Sequence, residues 1–487
     1  MEARLPIMKV RFWGGYMNRS RWLVFALMII HLGSSHLKAE QSETEKSEES
    51  LEQTEEVEEA TSPKPPNILL ILVDDLGYGD LSLNGAQDLK TPNIDALIES
   101  GIHLKQFYAN SPMGSPSIAS LLTGQFPDLV GVPGIIEGDS ENNWGYLSPE
   151  ALLLPQVLSQ AGYHTALIGE WNLGIESPNI PTERGFHFFH GFLGRMMDDY
   201  YEHSHSGINY MRMNDQIIEP KGHATDLFTQ WAIEYLNGRK AKEEPFFLFL
   251  FYNAPHVPIQ PPIELFGEIR EREPQLNEDR AKLVALIEHL DKGVGKVVKA
   301  LQENKQDSHT LIFFLSDNGG DLKAAANCGS LRGGKMDMYE GGIRVPMGVT
   351  WPGKIRPGSS SGYLALTMDL FPTICDAAGV KPVKHIDGIS ILGTLVGQMS
   401  PPLARSLIWV GRSGDSHYQG RDYYAIRLGR WKLVQNSPFS SYELFNLRDD
   451  PREEHDVGDQ EPKTKARLAE VLKRHIKKAG AVSWQKP

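Results

Sequence analysis

The chain has 487 residues, of which 40% are hydrophobic and 23% charged, and it carries a net charge of −13. That length supports one large core with room for a second, smaller domain, and 46 Gly and 31 Pro suit long loops. A chain this acidic is a poor partner for polyphosphate, which argues against nucleic acid as a ligand.

The charge is unevenly placed. Residues 1–39 hold six Lys/Arg against one Glu, and residues 40–62 hold ten Glu against one Lys. The first stretch reads as an export signal: Arg19 and Arg21 precede an apolar run over 22–30, and Ala39 offers a small residue for cleavage. A start at Met17 gives a more compact signal. The run is too short to span a bilayer comfortably, so no stable membrane span is expected, and no Cys near the cleavage region offers a lipid anchor. The chain is therefore expected to be secreted or periplasmic, with a mature end near Glu40. N-terminal sequencing of the exported protein checks this, and residues 1–38 intact on soluble protein would refute it. Residues 40–66 read as an acidic disordered linker.

The folded part begins at Asn67. "NILLILVDD" is a short, almost wholly apolar run ending in two carboxylates, the pattern of a buried central strand. Similar runs follow in "PFFLFLFYNAPH" (245–256) and "TLIFFLSDNGG" (310–320). Helical patterns lie between them, in "TPNIDALIESG" (91–101) and "AKLVALIEHLDKGVGKVVKALQE" (281–303). This alternation predicts a mostly parallel sheet covered on both faces. "SPMGSPSIASLLTG" (111–124) predicts a tight turn into a short helix, with Pro116 at its first position and Ser115 as its cap. The two cysteines, Cys328 and Cys375, read as unpaired thiols, Cys375 on the inner face of a helix over "LFPTICDAAG" (370–379). No Cys-x-x-Cys or His-rich spacing points to zinc.

In such sheets ligands bind at the carboxyl ends of the strands. Asp74, Asp75, His256, Asp317 and Asn318 all stand at such ends. One such tip is an ordinary turn former; three tips bearing metal-type oxygens indicate a site. The hard-oxygen set suits Ca²⁺ or Mg²⁺, and a divalent ion would relieve the repulsion among the carboxylates. His256 in "APHVP" and Lys335 in "RGGKMDMYEGG" could face the same site as proton donor and anion-binding cation.

From Asn67 to about Gly458 the chain resembles a sulfatase of the alkaline-phosphatase superfamily. The matching stretches include "PNILLILVDDLGYGDLS", "FPDLVGV", "APHVPIQPP", "LSDNGG", "YEGGIRVPMGVTWPGKI", "IDGISIL" and "ELFNLRDDPREEHDV". The resemblance implies an α/β fold in two parts. A large domain over 67–375 would hold a central mixed, mostly parallel sheet flanked by helices. A small C-terminal subdomain over 376–487 would hold an antiparallel sheet and a closing helix near "TKARLAEVLKRHIKKAG".

The family's chemistry uses a Cys or Ser in C/S-x-P-S-R-x-x-x-L-T-G, matured to formylglycine, whose hydrate attacks sulfur while bound to calcium. By resemblance this chain has Gly114 at the nucleophile and Ile118 at the arginine. The family's Gly-Lys-Trp-His-Leu-Gly stands here as "GEWNLG" (169–174), with Glu170 for the lysine and Asn172 for the histidine. Retained by resemblance are the metal residues Asp74, Asp75, Asp317 and Asn318, with His256 and Lys335 at the sulfate. No formylglycine can form at Gly114, and the Ca²⁺ (or Mg²⁺) site is expected to survive in weakened form. Glu170 is expected either to pair with Lys335 or to give the cation a replacement oxygen. Two readings follow: a non-catalytic protein recognising sulfated carbohydrate, or an active hydrolase, either a sulfatase working by another route or a metal-dependent esterase of sulfate or phosphate esters using metal-bound water. Loss of four positions in one pocket favours the first.

Overall fold

Four apolar runs become the strands at the centre of the molecule: β1 (Asn67–Val73), β2 (His164–Glu170), β3 (Phe246–Tyr252) and β4 (Thr310–Ser316). This computed structural model describes residues 64–137, 143–381, 384–398, 405–414 and 421–486. The expected export signal and nearly all of the expected acidic linker lie outside those residues.

β1 pairs in parallel with β3 on one side and β4 on the other, and β3 pairs in parallel with β2. Phe188–Phe192 extends the parallel run beyond β2, while Met347–Thr350 runs antiparallel beside β4. The finished sheet has ten strands and is mixed, with its parallel part in the middle. The alternation of β1 decides its packing, because successive side chains leave opposite faces of a strand. Ile68, Leu70 and Leu72 enter one apolar layer, and Leu69, Ile71 and Val73 enter the other. The first layer is covered by α1 (Gly114–Thr123). The second is covered by α2 (Ala224–Arg239) and α3 (Glu278–Glu303).

A second sheet of four antiparallel strands follows: β5 (Ser406–Ser413), β6 (Arg421–Leu428), β7 (Trp431–Gln435) and β8 (Glu443–Asn446). One face packs Trp409, Val434 and Phe445 against Tyr108, Met113 and Met368 of the large sheet's domain. The other packs Ile408, Ile426 and Leu433 under Leu468 and Leu472 of α4 (Pro462–Ala479). The small antiparallel sheet and its closing helix thus take the expected form. Cys328 and Cys375 are free and buried.

Two local expectations are corrected. The helix after the 111–113 turn starts at Gly114, so Pro116 is its third residue. Ser115 does not cap it: its hydroxyl donates to Asn172 Oδ1 at 2.6 Å and accepts from Ile136 N at 3.1 Å. A long-range partner has displaced the local one. Among the described residues no helix is long and apolar enough to cross a membrane.

Candidate active site

Each central strand delivers its polar tip to the same edge. Asp74 and Asp75 follow β1, Glu170 ends β2, Asn253–His256 follows β3, and Asp317 and Asn318 follow β4. Gly169 makes the approach of β2 possible. Its φ is +106°, and a Cβ there would lie 1.9 Å from Phe251 O. Asp75 and Asn172 are held at φ 67° and 65°, a left-handed backbone that Asp and Asn tolerate better than most residues.

The hydrogen bonds converge on Asp75. Its amide donates to Asp317 Oδ1 at 3.1 Å, and its Oδ1 accepts from Asn318 Nδ2 at 2.7 Å. Its Oδ2 accepts from Lys335 Nζ at 2.7 Å and faces His256 Nε2 at 3.6 Å. Ligand atoms of Asp74, Asp75 and His256 lie within 4.8 Å of one another. Asp317 Oδ2, Asn318 Oδ1 and both Glu170 oxygens are buried without a hydrogen-bond donor among the described residues.

Electrostatics follow from this crowding. Burial and the neighbouring Asp317 and Asp75 push Asp74 well above the usual carboxylate range. Burial and Asp75 raise Asp317 to about 7, and burial raises Glu170 well above its ordinary value. Asp75 goes the other way: against burial, Lys335 and His256 hold it down. Burial and Lys335 lower His256 to about 4, so the ring is neutral at pH 7. Its Nδ1–H donates to Val257 O at 2.7 Å, which leaves Nε2 without a proton to give.

The strand ends thus bring together Asp74, Asp75, Asp317, Asn318, His256 and Lys335. Gly114 and Asn172 sit beside them: a Cβ on Gly114 would lie 2.8 Å from Asp317 Oδ2 and 3.0 Å from Asn172 Nδ2. Ile118 does not join the group, being fully buried in the apolar layer under α1. Lys335 is held by Asp75, so the expected Glu170–Lys335 ion pair is not formed.

Three further residues shape the site. Arg195 lines it and forms an ion pair with Glu137. Ile135 completes the wall of a half-open pocket of about 20 Å³, room for about one water. Tyr200 fixes the His256 loop by donating to Asn253 O at 3.1 Å and to His256 O at 2.7 Å. Arg195 lies just past Phe188–Phe192, so extending the strand-end rule by one strand would have found it. Glu137 and Ile135 carry no such signal.

A mostly parallel α/β sheet with carboxylates and an amide gathered at its strand tips is an architecture of the alkaline-phosphatase kind. The chain belongs to the sulfatase family: residues 66–380 match the family's sulfatase model, and residues 334–481 match the C-terminal model of N-sulphoglucosamine sulphohydrolase. It is 32% identical to N-acetylgalactosamine-6-sulfatase of Mus musculus over 412 residues, 79% of this chain and 75% of that one. It is 30% identical to arylsulfatase A of Bos taurus over 440 residues, 81% of this chain and 84% of that one. Among similar solved structures is Ps i-CgsB in complex with k-i-k-neocarrahexaose, at a TM-score of 0.79 and 30% identity, covering 87% of this chain and 96% of that one. Another, bound to its substrate D-glucosamine-2-N,6-O-disulfate, shares the fold at a TM-score of 0.70 and 21% identity, covering 86% of this chain and 98% of that one.

Proposed function

We propose that this chain is an exported sulfatase-family protein that does not hydrolyse sulfate esters and instead recognises sulfated carbohydrate. The observation that carries this reading is Gly114, which presents no side chain beside Asp317 Oδ2. Covalent catalysis needs an activated nucleophile, and glycine supplies none. The unpartnered oxygens of Asp317 and Asn318 fit a hard divalent cation, which Asp74, Asp75, Asp317 and Asn318 would hold. When bound, that ion supplies charge neutralisation. Formylglycine does not fit at all, and no step is available through it.

The surroundings support the same reading. Glu170 stands where the family pattern has a lysine, and losing a cation about 4 Å from a sulfate costs roughly 4 kcal/mol at an effective dielectric near 20. Ile118 contributes no cation, and neutral His256 has no proton on Nε2 for a leaving oxygen. Carbohydrate is suggested by the named substrates and ligands of the relatives, and surfaces outside this pocket would have to bind it.

Purified protein is expected to turn over neither aryl sulfates nor aryl phosphates, with or without added calcium. Calcium-dependent turnover by the unmodified chain, abolished by Asp317→Ala, would make it a metal-dependent ester hydrolase instead. A screen against sulfated and desulfated glycans reads the binding half of the proposal.

A further inference from the structure

Glu170 ends β2 fully buried, and neither of its oxygens has a donor among the described residues. The Asp74 carboxylate lies within hydrogen-bonding reach of it, and Asp317 adds to the negative field. Both nearby side-chain cations are engaged: Lys335 holds Asp75 at 2.7 Å, and Arg195 holds Glu137. A buried carboxylate is stable when something positive or hydrogen-donating faces it. Here its acidic neighbours are Asp74 and Asp317, and in the same strand-end cluster Asp317 Oδ2 and Asn318 Oδ1 are orphaned as well. Beside Asp317 Oδ2 stands Gly114, which cannot contribute a side-chain oxygen of its own.

We propose that Glu170 is itself a ligand of a calcium-class cation, adding to Asp74, Asp75, Asp317 and Asn318 the oxygen that Gly114 cannot provide. The inference rests on the reading of this pocket as non-hydrolytic, and it turns the most disruptive-looking substitution into a compensating one. A glutamate where an active pocket needs a cation for sulfate repels the anion and holds the metal. Removing one residue's side-chain oxygen and supplying a charged one from the neighbouring strand keeps the number of hard ligands up. Cation affinity in oxygen sites follows ligand charge and count. The competing explanation is a proton shared between Glu170 and Asp74, which would make the pocket indifferent to calcium.

The test is calorimetric titration of the full exported chain, stripped with chelator, with calcium chloride and, in a separate arm, magnesium chloride. The wild-type chain is expected to bind one Ca²⁺ and to bind Mg²⁺ more weakly. Glu170→Gln should weaken calcium binding by at least about tenfold, in keeping with the loss of one charged ligand, and Glu170→Lys should abolish it. Trp171 adjoins Glu170 and is fully buried, so tryptophan-sensitised terbium emission, displaced by calcium, gives a second readout on the wild-type chain and on each variant that folds. Should Glu170→Gln not fold, Glu170→Asp, which keeps the charge but shortens the reach, is expected to bind more weakly and to quench less of that emission on calcium addition. No binding by the wild-type chain, or equal affinity in the variants that fold, would overturn the proposal. Turnover is measured on the same samples. Hydrolysis with Glu170-dependent calcium binding would sink the non-hydrolytic reading alone. Inactivity with Glu170-independent binding would sink the ligand assignment alone.

Discussion

Lys432→Met is expected to cost about 3–5 kcal/mol of stability, the range for stranding a buried charge by removing its partner. Lys432 is fully buried in β7, its ammonium 3.0 Å from Glu340 Oε1 and 2.8 Å from Glu453 Oε1. Glu340 also accepts from Tyr108 Oη at 2.7 Å, and its own amide donates to Glu453 Oε2 at 2.6 Å. Taking the ammonium away leaves two carboxylates facing each other in a dry interior. The pH dependence follows from the same contacts. Against burial, Lys432 and Arg427 hold Glu340 down to about 2, below its ordinary 4.5. The stability this provides is fully present above pH 4.5 and is lost as pH falls through 2. Burial raises Glu453 to about 7, so ionising it costs stability as pH rises from 4.5 through 7. Urea titrations of both proteins from pH 3 to 8 measure this. A loss below 1 kcal/mol at pH 7, or an unchanged acid limb, would refute the account.

Gly114→Cys is expected to leave sulfate-ester turnover at background, even when co-expressed with the enzyme that oxidises such cysteines. The new Cβ would stand 2.8 Å from Asp317 Oδ2, inside contact distance, so the acid has to move to admit it. Any aldehyde formed there would still lack the family's arginine, lysine and histidine, whose positions hold Ile118, Glu170 and Asn172. One lost cation worth roughly 4 kcal/mol corresponds to about a thousandfold in rate. Mass spectrometry of the 114 peptide establishes whether the residue is converted. Conversion together with aryl sulfate turnover would show that the nucleophile alone had been missing.

The parts of the molecule visible in the sequence are those whose cause is local. β1, β3 and β4 announce themselves because a strand buried on both faces must be apolar at every position, and their polar tips are the residues next in line. Glu170, Asn172 and Gly114 were legible only against a family pattern, since nothing in "GEWNLG" or "PMGSP" by itself marks a pocket. Ser115 was misread for a physical reason: a serine at a helix start ordinarily caps it, and the competing acceptor, Asn172, lies 57 residues away. Lys432 and Glu453 look like surface charges in sequence. They are buried because β7 and the loop after β8 meet Glu340, a meeting that no local spacing encodes. The Arg195–Glu137 pair is hidden in the same way.

The register of β1 also bears on how the chain comes to be folded during its synthesis. The first strand of the folded part is the central one, yet its partners lie 179 and 243 residues further on, at Phe247 and Thr310. Until Ser316 has left the ribosome, β1 has at most one flank to pair with, and both its faces remain short of cover. Closing such long loops is slow. The centre of the sheet can therefore be assembled only after about two thirds of the chain has been made.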